Sequence, residues 1–275
     1  MNILVTFDNN YLEPALNMLL SLKRYNDDLI IHIIYDNLSE QSLIKIKEFV
    51  NKYNIGELKL YYYGTSDKNL STIRTNYITD SCYLRMYAPF IIEDVDKILY
   101  LDPDIICQGS LKEFYNIDLE NKAMAACENM LREDVSFLRE LMLEHLIMPL
   151  DAIYVNSGVL LIDTNKYKEY VSKTQLDNFL KDKSCFLDYH DQDAINYLFY
   201  NKIKIVDNNY NYQINAVDKG KEDLDKIIIH YSEATKPWKK DYPWPNKAIP
   251  YYKLLQYKGE NDLLNDLIIF HKSCE

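Results

Sequence analysis

The segment "DKILYLDPDII" (residues 96–106) joins an apolar run to two aspartates that flank a proline. The apolar part predicts a buried strand that ends directly at Asp102. Pro103 forces Asp102 into an extended conformation, so the strand runs straight into the acidic pair. Four Asp-x-Asp triplets occur in this chain of 275 residues, 42 of which are acidic, so a triplet alone is weak evidence for a site. Its surroundings must decide between a functional pair and an acidic turn.

The residues that precede this strand alternate between strand-like and helix-like patterns. Pro14 suits the first turn of one helix, Ser39 suits the N-cap of a second, and residues 81–92 predict a third helix that runs up to Pro89. Apolar runs predict buried strands at 2–7 and 29–36, and a third strand is predicted at 58–63. This alternation predicts an α/β fold with one doubly wound, mainly parallel sheet. Ligands of such sheets bind beyond the carboxyl ends of the strands, which is where Asp102 and Asp104 lie.

The second half of the chain is less regular. Its patterns predict a helix over 134–146, a helix within 190–201, and strands at 122–129, 153–163, 203–213 and 226–232. No internal repeat, low-complexity linker or sharp change of composition marks a second domain.

Composition excludes several classes of protein. The hydrophobic content of 48% is enough for a sizeable core, and a net charge of −11 argues against nucleic-acid binding. The five cysteines are scattered without a CxxC pair, which favours reduced thiols. The first residues lack the pattern of a signal peptide, and no apolar run approaches the length of a membrane span. The expectation is a soluble, cytoplasmic protein.

Glycine usage limits the ways in which this sheet could bind a nucleotide. The six glycines are isolated, so neither a dinucleotide-binding nor a P-loop motif is present. A divalent cation held by carboxylates, with a lysine nearby, is the alternative means of neutralising phosphate. Asp102 and Asp104 with the imidazole of His230 suit Mn²⁺ or Mg²⁺, and Lys236 follows six residues after His230. Taken singly, each of these residues is as well explained by a solvated turn or a structural histidine.

Taken together, the motifs are more specific than any one of these residues. The segments "FDNNY", "YLRMY", "KILYLDPDIICQGSL", "YVNSGVLLID", "HDQDAIN" and "IIHYSEATKPWKK" resemble glycosyltransferase family 8 in their order and spacing. The resemblance covers roughly residues 1–245. Within the family, the chain is similar to the bacterial lipopolysaccharide galactosyl- and glucosyltransferases and more distantly similar to glycogenin. It implies a GT-A type fold with smaller antiparallel elements on the acceptor side. It also implies a retaining hexosyltransferase that uses UDP-glucose or UDP-galactose.

The resemblance implies a binding role for each matching residue. It implies that the first-strand loop, with Thr6, Asp8 and Asn10, holds the uracil and ribose of the donor. The residues at the positions where the family contacts the donor sugar are Arg85, Asn156, Ser157, Gly158, Asp191 and Gln192. The Mn²⁺ ligands match Asp102, Asp104 and His230, with Asp102 also near the ribose, and the diphosphate-binding lysine matches Lys236.

The implied catalytic pair is Gln192 and Asp191. Gln192 is a poor nucleophile, which favours front-face attack over a covalent intermediate on Asp191, although both mechanisms remain open. Relatives often carry glycine where this chain has Glu233, which puts the geometry of the diphosphate loop in question.

The carboxyl-terminal part carries two open alternatives. Residues 236–258 hold six lysines interleaved with aromatic residues, which suits either an anionic membrane surface or packing of the aromatics inside the domain. The resemblance implies a glycosyltransferase domain over 1–245, with halves at 1–115 and 116–245, and an extension at 246–275. The implied partners are a UDP-sugar and a glycan, lipid-linked or protein acceptor. A catalytically silent nucleotide-sugar-binding protein on the same fold is the alternative function.

Overall fold

The computed structural model describes residues 1–64, 80–130, 148–149, 152–183, 187–214, 224–240 and 242–272. The strands in this part are β1 (Asn2–Thr6), β2 (Ile30–Tyr35), β3 (Glu57–Tyr62), β4 (Lys97–Leu101), β5 (Ile105–Cys107), β6 (Met124–Glu128), β7 (Val155–Asp163), β8 (Ile203–Val206), β9 (Tyr212–Gln213) and β10 (Ile228–His230). The α-helices are α1 (Leu12–Lys23), α2 (Glu40–Lys52), α3 (Leu84–Ile91), α4 (Lys112–Tyr115), α5 (Thr164–Tyr170), α6 (Lys173–Lys183), α7 (Asp191–Phe199), α8 (Ile249–Lys258) and α9 (Asn261–Lys272).

Most of the strands form one large sheet in the order β3-β2-β1-β4-β7-β6-β8. The first four in this order are parallel to one another, whereas β7 is antiparallel to both β4 and β6. Because β8 is parallel to β6, only β7 runs against the rest of the sheet. The predicted mainly parallel α/β sheet is confirmed.

Side chains alternate between the two faces of this sheet and supply two hydrophobic clusters. Ile3 and Val5 of β1 belong to a cluster with α1 and α2, whereas Leu4 points into a cluster with α3 and α7. Successive residues of a strand face opposite sides, so β1 is apolar on both faces. Helices therefore cover both faces, as a doubly wound sheet requires.

A small second sheet lies at the carboxyl end of β4. Its strands have the order β5-β10-β9, with β5 antiparallel to β10 and β9 parallel to it. The register places His230 opposite Ile105. This pairing joins the late part of the chain to the residues that follow β4.

Several elements differ from the sequence predictions. Helix α3 continues past Pro89 to Ile91; proline removes one backbone hydrogen bond there, and burial of its ring offsets part of that cost. The predicted strand at 203–213 is interrupted by a 3₁₀ turn at Asn208–Tyr210. Strand β5 and helices α4, α5, α6, α8 and α9 were not predicted. The predicted helix over 134–146 lies outside the described residues.

The carboxyl-terminal helices pack onto the main body of the protein. Tyr242, Tyr251 and Leu254 are buried in the cluster that also contains α1, whereas Tyr257 is exposed. The burial of these aromatic rings favours the packing alternative for this segment. None of the described helices is both long and apolar enough to span a bilayer.

Candidate active site

Asp102 and Asp104 lie where the two sheets meet. Asp102 follows the last residue of β4, and its backbone N–H donates to the carbonyl oxygen of Gly158 on β7 at 2.8 Å. Asp104 precedes β5, and its carbonyl oxygen accepts a hydrogen bond from the backbone N–H of Tyr231 at 3.1 Å. Because β5 pairs with β10, this bond continues the small sheet and brings His230 beside both aspartates.

The three side chains form a cluster with the composition of a cation site. Asp102, Asp104 and His230 each offer one ligand atom, and these atoms lie within 4.8 Å of one another. His230 Nε2 lies 3.2 Å from Asp104 Oδ1 and 3.6 Å from Asp102 Oδ2. Asp104 Oδ1 is buried and has no hydrogen-bond partner, which is costly for a carboxylate unless a cation satisfies it. Two carboxylates and one imidazole therefore fit a divalent cation.

Lys236 lies next to this cluster and is 5% exposed. Its ammonium donates to Asp104 Oδ2 at 2.8 Å and to the carbonyl oxygen of Tyr231 at 2.5 Å. Burial alone would raise the pKa of Asp104, but the adjacent ammonium of Lys236, together with the neighbouring His230, outweighs burial and holds that pKa well below its usual range. Asp104 is therefore ionised at neutral pH and can act as a ligand.

Arg85 connects the cation cluster to a second carboxylate. Its Nη1 lies 3.0 Å from Asp102 Oδ1, and its Nε lies 3.0 Å from Asp191 Oδ2. The guanidinium carbon lies 4.3 Å from the centre of the Tyr100 ring, and Nη1 also donates to the carbonyl oxygen of Ser157 at 2.8 Å. The guanidinium carries five donors around its edge and presents its flat face to an aromatic ring, so arginine can make all of these contacts at once.

Asp191 and Gln192 occupy the first turn of α7, and both are buried. His190, which precedes them, has φ 50° and ψ −119°, a backbone conformation that is strained for a residue with a side chain. Burial raises the pKa of Asp191 to about 6, although the neighbouring Arg85 acts in the opposite direction. This strained turn leads directly into the helical turn that carries both side chains.

The start of β7 supplies a line of amides that contact α7. Asn156 Nδ2 donates to Gln192 Oε1 at 3.0 Å, and the backbone N–H of Ser157 donates to the same oxygen at 3.0 Å. The amide of Gln192 in turn donates to the hydroxyl of Tyr154 at 3.2 Å. Gln192 is thus held on both ends of its amide group.

Gly158 lies directly behind the cation cluster. A Cβ atom at this position would lie 2.2 Å from His230 Cε1 and 2.7 Å from Asp102 Oδ2. Real Cβ atoms do not approach other heavy atoms so closely, so the site requires glycine here. The resemblance implies a donor-sugar contact for Gly158; the structure adds this close packing against two of the cluster residues.

The predicted uracil- and ribose-binding residues lie at the end of β1. Thr6 Oγ1 is 3.4 Å from the hydroxyl of Tyr100, which itself donates to Asp102 Oδ1 at 2.5 Å. Asp8 accepts from the backbone N–H of Asn10 at 2.9 Å and caps a short 3₁₀ turn. Among the described hydrogen bonds and ion pairs, none joins Asp8 or Asn10 to the Asp102 cluster. Both residues lie at the sheet end that holds the cluster.

Three polar side chains of this site were not predicted from the sequence. Tyr100 had a usable signal, because it lies two residues before Asp102 on a strand and therefore on the same face. Tyr154 bridges Gln192 to Asp193, to whose Oδ1 its hydroxyl donates at 2.6 Å. Asn211 lies between His230 and Asn156. Neither Tyr154 nor Asn211 stands in a pattern that distinguishes it from other polar residues.

Comparison with known proteins places this site in context. The family model described as "Glycosyl transferase family 8" matches residues 2–242. The chain is 29% identical over 271 residues to the lipopolysaccharide 1,2-glucosyltransferase of Escherichia coli strain K12, covering 92% of this chain and 77% of that protein. It is 24% identical over 273 residues to the lipopolysaccharide 1,3-galactosyltransferase of Salmonella typhimurium strain LT2, covering 94% of this chain and 78% of that one.

The fold has a counterpart among solved structures. The crystal structure of galactosyltransferase LgtC in complex with donor and acceptor sugar analogs superposes with a TM-score of 0.77 at 20% identity, covering 94% of this chain and 96% of that chain. At this identity the likeness establishes the shared fold, which agrees with the predicted GT-A type. The family model spans nearly the whole of the sheet and of the site built on it, and the chain therefore belongs to glycosyl transferase family 8.

Proposed function

We propose that this protein transfers glucose or galactose from a UDP-sugar to a glycan acceptor, with retention of the anomeric configuration and with a divalent cation. Family membership supports a glycosyl transfer, and the similar lipopolysaccharide glucosyl- and galactosyltransferases support a hexose. The observation that carries the proposal is the cluster of Asp102, Asp104 and His230, in which Asp104 Oδ1 is buried without a hydrogen-bond partner.

Asp102, Asp104 and His230 would hold the cation. Oxygen ligands joined by one imidazole suit Mn²⁺, with Mg²⁺ as the alternative. When bound, the cation neutralises negative charge on the diphosphate as a Lewis acid.

Lys236 and Arg85 supply the permanent positive charge. The ammonium of Lys236 is already held at 2.8 Å from Asp104, so it lies beside the place where the diphosphate would sit and can stabilise the departing UDP. Arg85 holds the carboxylates of Asp102 and Asp191 in fixed positions, 3.0 Å from its Nη1 and Nε atoms. Ordering these groups before the donor binds lowers the cost of arranging them in the transition state.

Neither member of the proposed catalytic pair is placed to act as a free nucleophile. Gln192 Oε1 already accepts two hydrogen bonds, and Asp191 Oδ2 accepts none but lies 3.0 Å from Arg85 Nε, whose positive charge makes the carboxylate less nucleophilic. These contacts favour front-face attack. In that mechanism the acceptor oxygen bonds to the anomeric carbon as the bond from that carbon to the diphosphate breaks, and a diphosphate oxygen takes the acceptor proton. Gln192 and Asp191 then orient the sugar and stabilise its developing positive charge.

The acceptor belongs to the same proposal. The similar proteins are named as lipopolysaccharide glycosyltransferases, which supports a growing surface glycan as acceptor, either lipid-linked or attached to protein. A silent nucleotide-sugar-binding protein is the second candidate. The buried Asp104–Lys236 ion pair argues against this candidate. Burying two charges costs free energy, and a protein without catalytic activity would not need to retain them.

Calorimetric titration with UDP tests the donor site. We expect binding in the presence of Mn²⁺ and little or none in EDTA, and we expect Asp104→Ala to abolish the metal-dependent part. Asp96→Ala is a matched control, because Asp96 is exposed and precedes β4 at the opposite end from Asp102. Binding that is indifferent to the metal would refute the cation site. Hydrolysis of UDP-glucose and UDP-galactose then separates an enzyme from a silent binder, since a silent binder would give no turnover with either.

A further inference from the structure

Asn211 is a fully buried amide that stands between the cation cluster and the sugar side of the site. It follows the 3₁₀ turn Asn208–Tyr210 and precedes β9. Its side chain lies 2.8 Å from the ring nitrogen Nδ1 of His230, through Oδ1. On its other side, Nδ2 donates to Asn156 Oδ1 at 2.8 Å. No polar atom of this amide faces solvent, so its contacts are specific to these two neighbours.

The orientation of the Asn211 amide follows from a backbone group. The N–H of Gly158 donates to Asn156 Oδ1 at 2.9 Å, and a backbone N–H can only donate. The atom of Asn156 at that position must therefore be its oxygen. Asn211 meets the same oxygen and must offer it a donor, which is its NH₂ group. The carbonyl oxygen of Asn211 consequently faces His230.

This orientation fixes the proton of the His230 ring. Because Nδ1 faces an oxygen at 2.8 Å, it must carry the hydrogen and donate it. In the neutral ring Nε2 is then left with a lone pair, which points toward Asp102 and Asp104 at 3.6 and 3.2 Å. A neutral imidazole with Nε2 free is the form that binds a cation.

The same chain of amides reaches α7. Asn156 Nδ2 donates to Gln192 Oε1 at 3.0 Å, so hydrogen bonds run without a break from His230 through Asn211 and Asn156 to Gln192. Two backbone donors fix the direction of these hydrogen bonds: the Gly158 N–H donates to Asn156 Oδ1, and the Ser157 N–H donates to Gln192 Oε1.

We propose that Asn211 is a positioning residue, which holds His230 in the tautomer and ring orientation that ligate the cation and ties that ring to Gln192. The proposal rests on the proposed function, because it requires a cation at Asp102, Asp104 and His230. Partners of this kind, which orient a metal ligand, typically change metal affinity by about 10- to 100-fold when they are removed.

Three variants and a control test this role. Their Mn²⁺ affinity is measured from the concentration of free Mn²⁺ by electron paramagnetic resonance, with and without UDP. Asn211→Leu removes both hydrogen bonds and keeps the number and branching of the side-chain heavy atoms, and Asn211→Asp keeps an oxygen for His230. Asn129→Ala is the control, because Asn129 Oδ1 accepts from Asn156 at 3.2 Å without contacting His230. Asp104→Ala reports on the cation site itself. Circular dichroism establishes that each variant is folded.

We expect Asn211→Leu to weaken Mn²⁺ binding by at least about tenfold, and Asn211→Asp and Asn129→Ala to stay within about tenfold of the wild type. A smaller loss in Asn211→Leu overturns the proposal. If that variant does not fold, a fourth variant, Asn211→Ala, removes the same two hydrogen bonds without added bulk and decides: a loss of less than about tenfold overturns the proposal.

The Asp104→Ala arm separates this inference from the proposed function. Full Mn²⁺ binding by Asp104→Ala would refute the cation site and the Asn211 proposal together. Loss of binding in Asp104→Ala with full binding in Asn211→Leu would refute the role of Asn211 alone.

Discussion

Replacing Gly158 by alanine tests how tightly the candidate cation site is packed. The new Cβ atom would lie 2.2 Å from Cε1 and 2.9 Å from Nδ1 of His230, and 2.7 Å from Asp102 Oδ2. The imidazole cannot simply turn away, because its Nδ1 is bound to Asn211 at 2.8 Å and the ring is 2% exposed. The substitution must therefore displace either the ring or the backbone of β7.

The size of that displacement sets the expected effect. Ordinary contact between carbon atoms begins at about 3.5 Å, so the ring must move by more than about 1 Å. Metal–ligand distances tolerate changes of about 0.2 Å, so His230 would no longer reach the position that Asp102 and Asp104 share. We expect Mn²⁺ affinity to fall at least about tenfold and the free energy of unfolding to fall by about 1–3 kcal/mol.

Urea denaturation and counting of free Mn²⁺ measure the two effects separately. Gly109→Ala is the matched control, because its Cβ would meet Ile227 at 3.4 Å, an ordinary contact. That control should change the free energy of unfolding by less than about 0.5 kcal/mol and leave Mn²⁺ binding unchanged. If Gly158→Ala binds Mn²⁺ as well as the wild type, then His230 is not a ligand held in this position, and the reasoning fails.

Three further predictions concern single groups. Arg85→Lys keeps the charge but cannot reach both Asp102 and Asp191, so UDP-sugar turnover should fall about 10- to 100-fold in steady-state kinetics. Tyr100→Phe removes only the hydroxyl that donates to Asp102, so UDP affinity measured by calorimetry should fall less than tenfold, by about 1 kcal/mol. Burial lowers the pKa of His32 from 6.5 to about 4, so on acidification the unfolded chain takes up a proton at this residue before the folded chain does. The contribution of neutral His32 to the free energy of unfolding is therefore complete above about pH 6.5 and is lost as the pH falls toward 4. Urea denaturation at pH 7 and 4.5 should show a loss on the order of 2 kcal/mol that His32→Gln lacks.

The central strands were predictable because burial on both faces leaves a continuous apolar run. The run 29–36 contains β2 (Ile30–Tyr35), and the run 96–101 contains β4 (Lys97–Leu101). Strand β5 has three residues, too few to set a pattern apart from the loop around it. Helix α8 carries aromatic residues on buried and exposed sides alike, with Tyr251 4% and Tyr257 58% exposed, so no single apolar stripe announced it.

The candidate site likewise contains residues that could be predicted from the sequence and residues that could not. Asp102 and Asp104 could be placed at the ligand edge of the sheet because they follow a strand directly. His230 was a candidate ligand because of its imidazole, but its proximity to the two aspartates depends on the antiparallel pairing of β5 with β10, which no local pattern specifies. Only the family resemblance raised it above a structural histidine. Asn211 could not be found at all, because its role depends on the direction of hydrogen bonds among side chains that only the folded chain assembles.

The balance of charge in the site argues that UDP needs the cation and that uridine does not. Three carboxylates converge here, those of Asp102, Asp104 and Asp191. Two permanent cations, Arg85 and Lys236, pair with them, so the metal-free site is left negative and repels a diphosphate. A divalent cation reverses the sign. We therefore expect EDTA to abolish UDP binding and to leave uridine binding unchanged, with both followed by ligand-observed NMR using Mg²⁺ as the diamagnetic cation. Equal binding of UDP with and without the metal would mean that Lys236 and Arg85 suffice, and the carboxylates would then need another explanation.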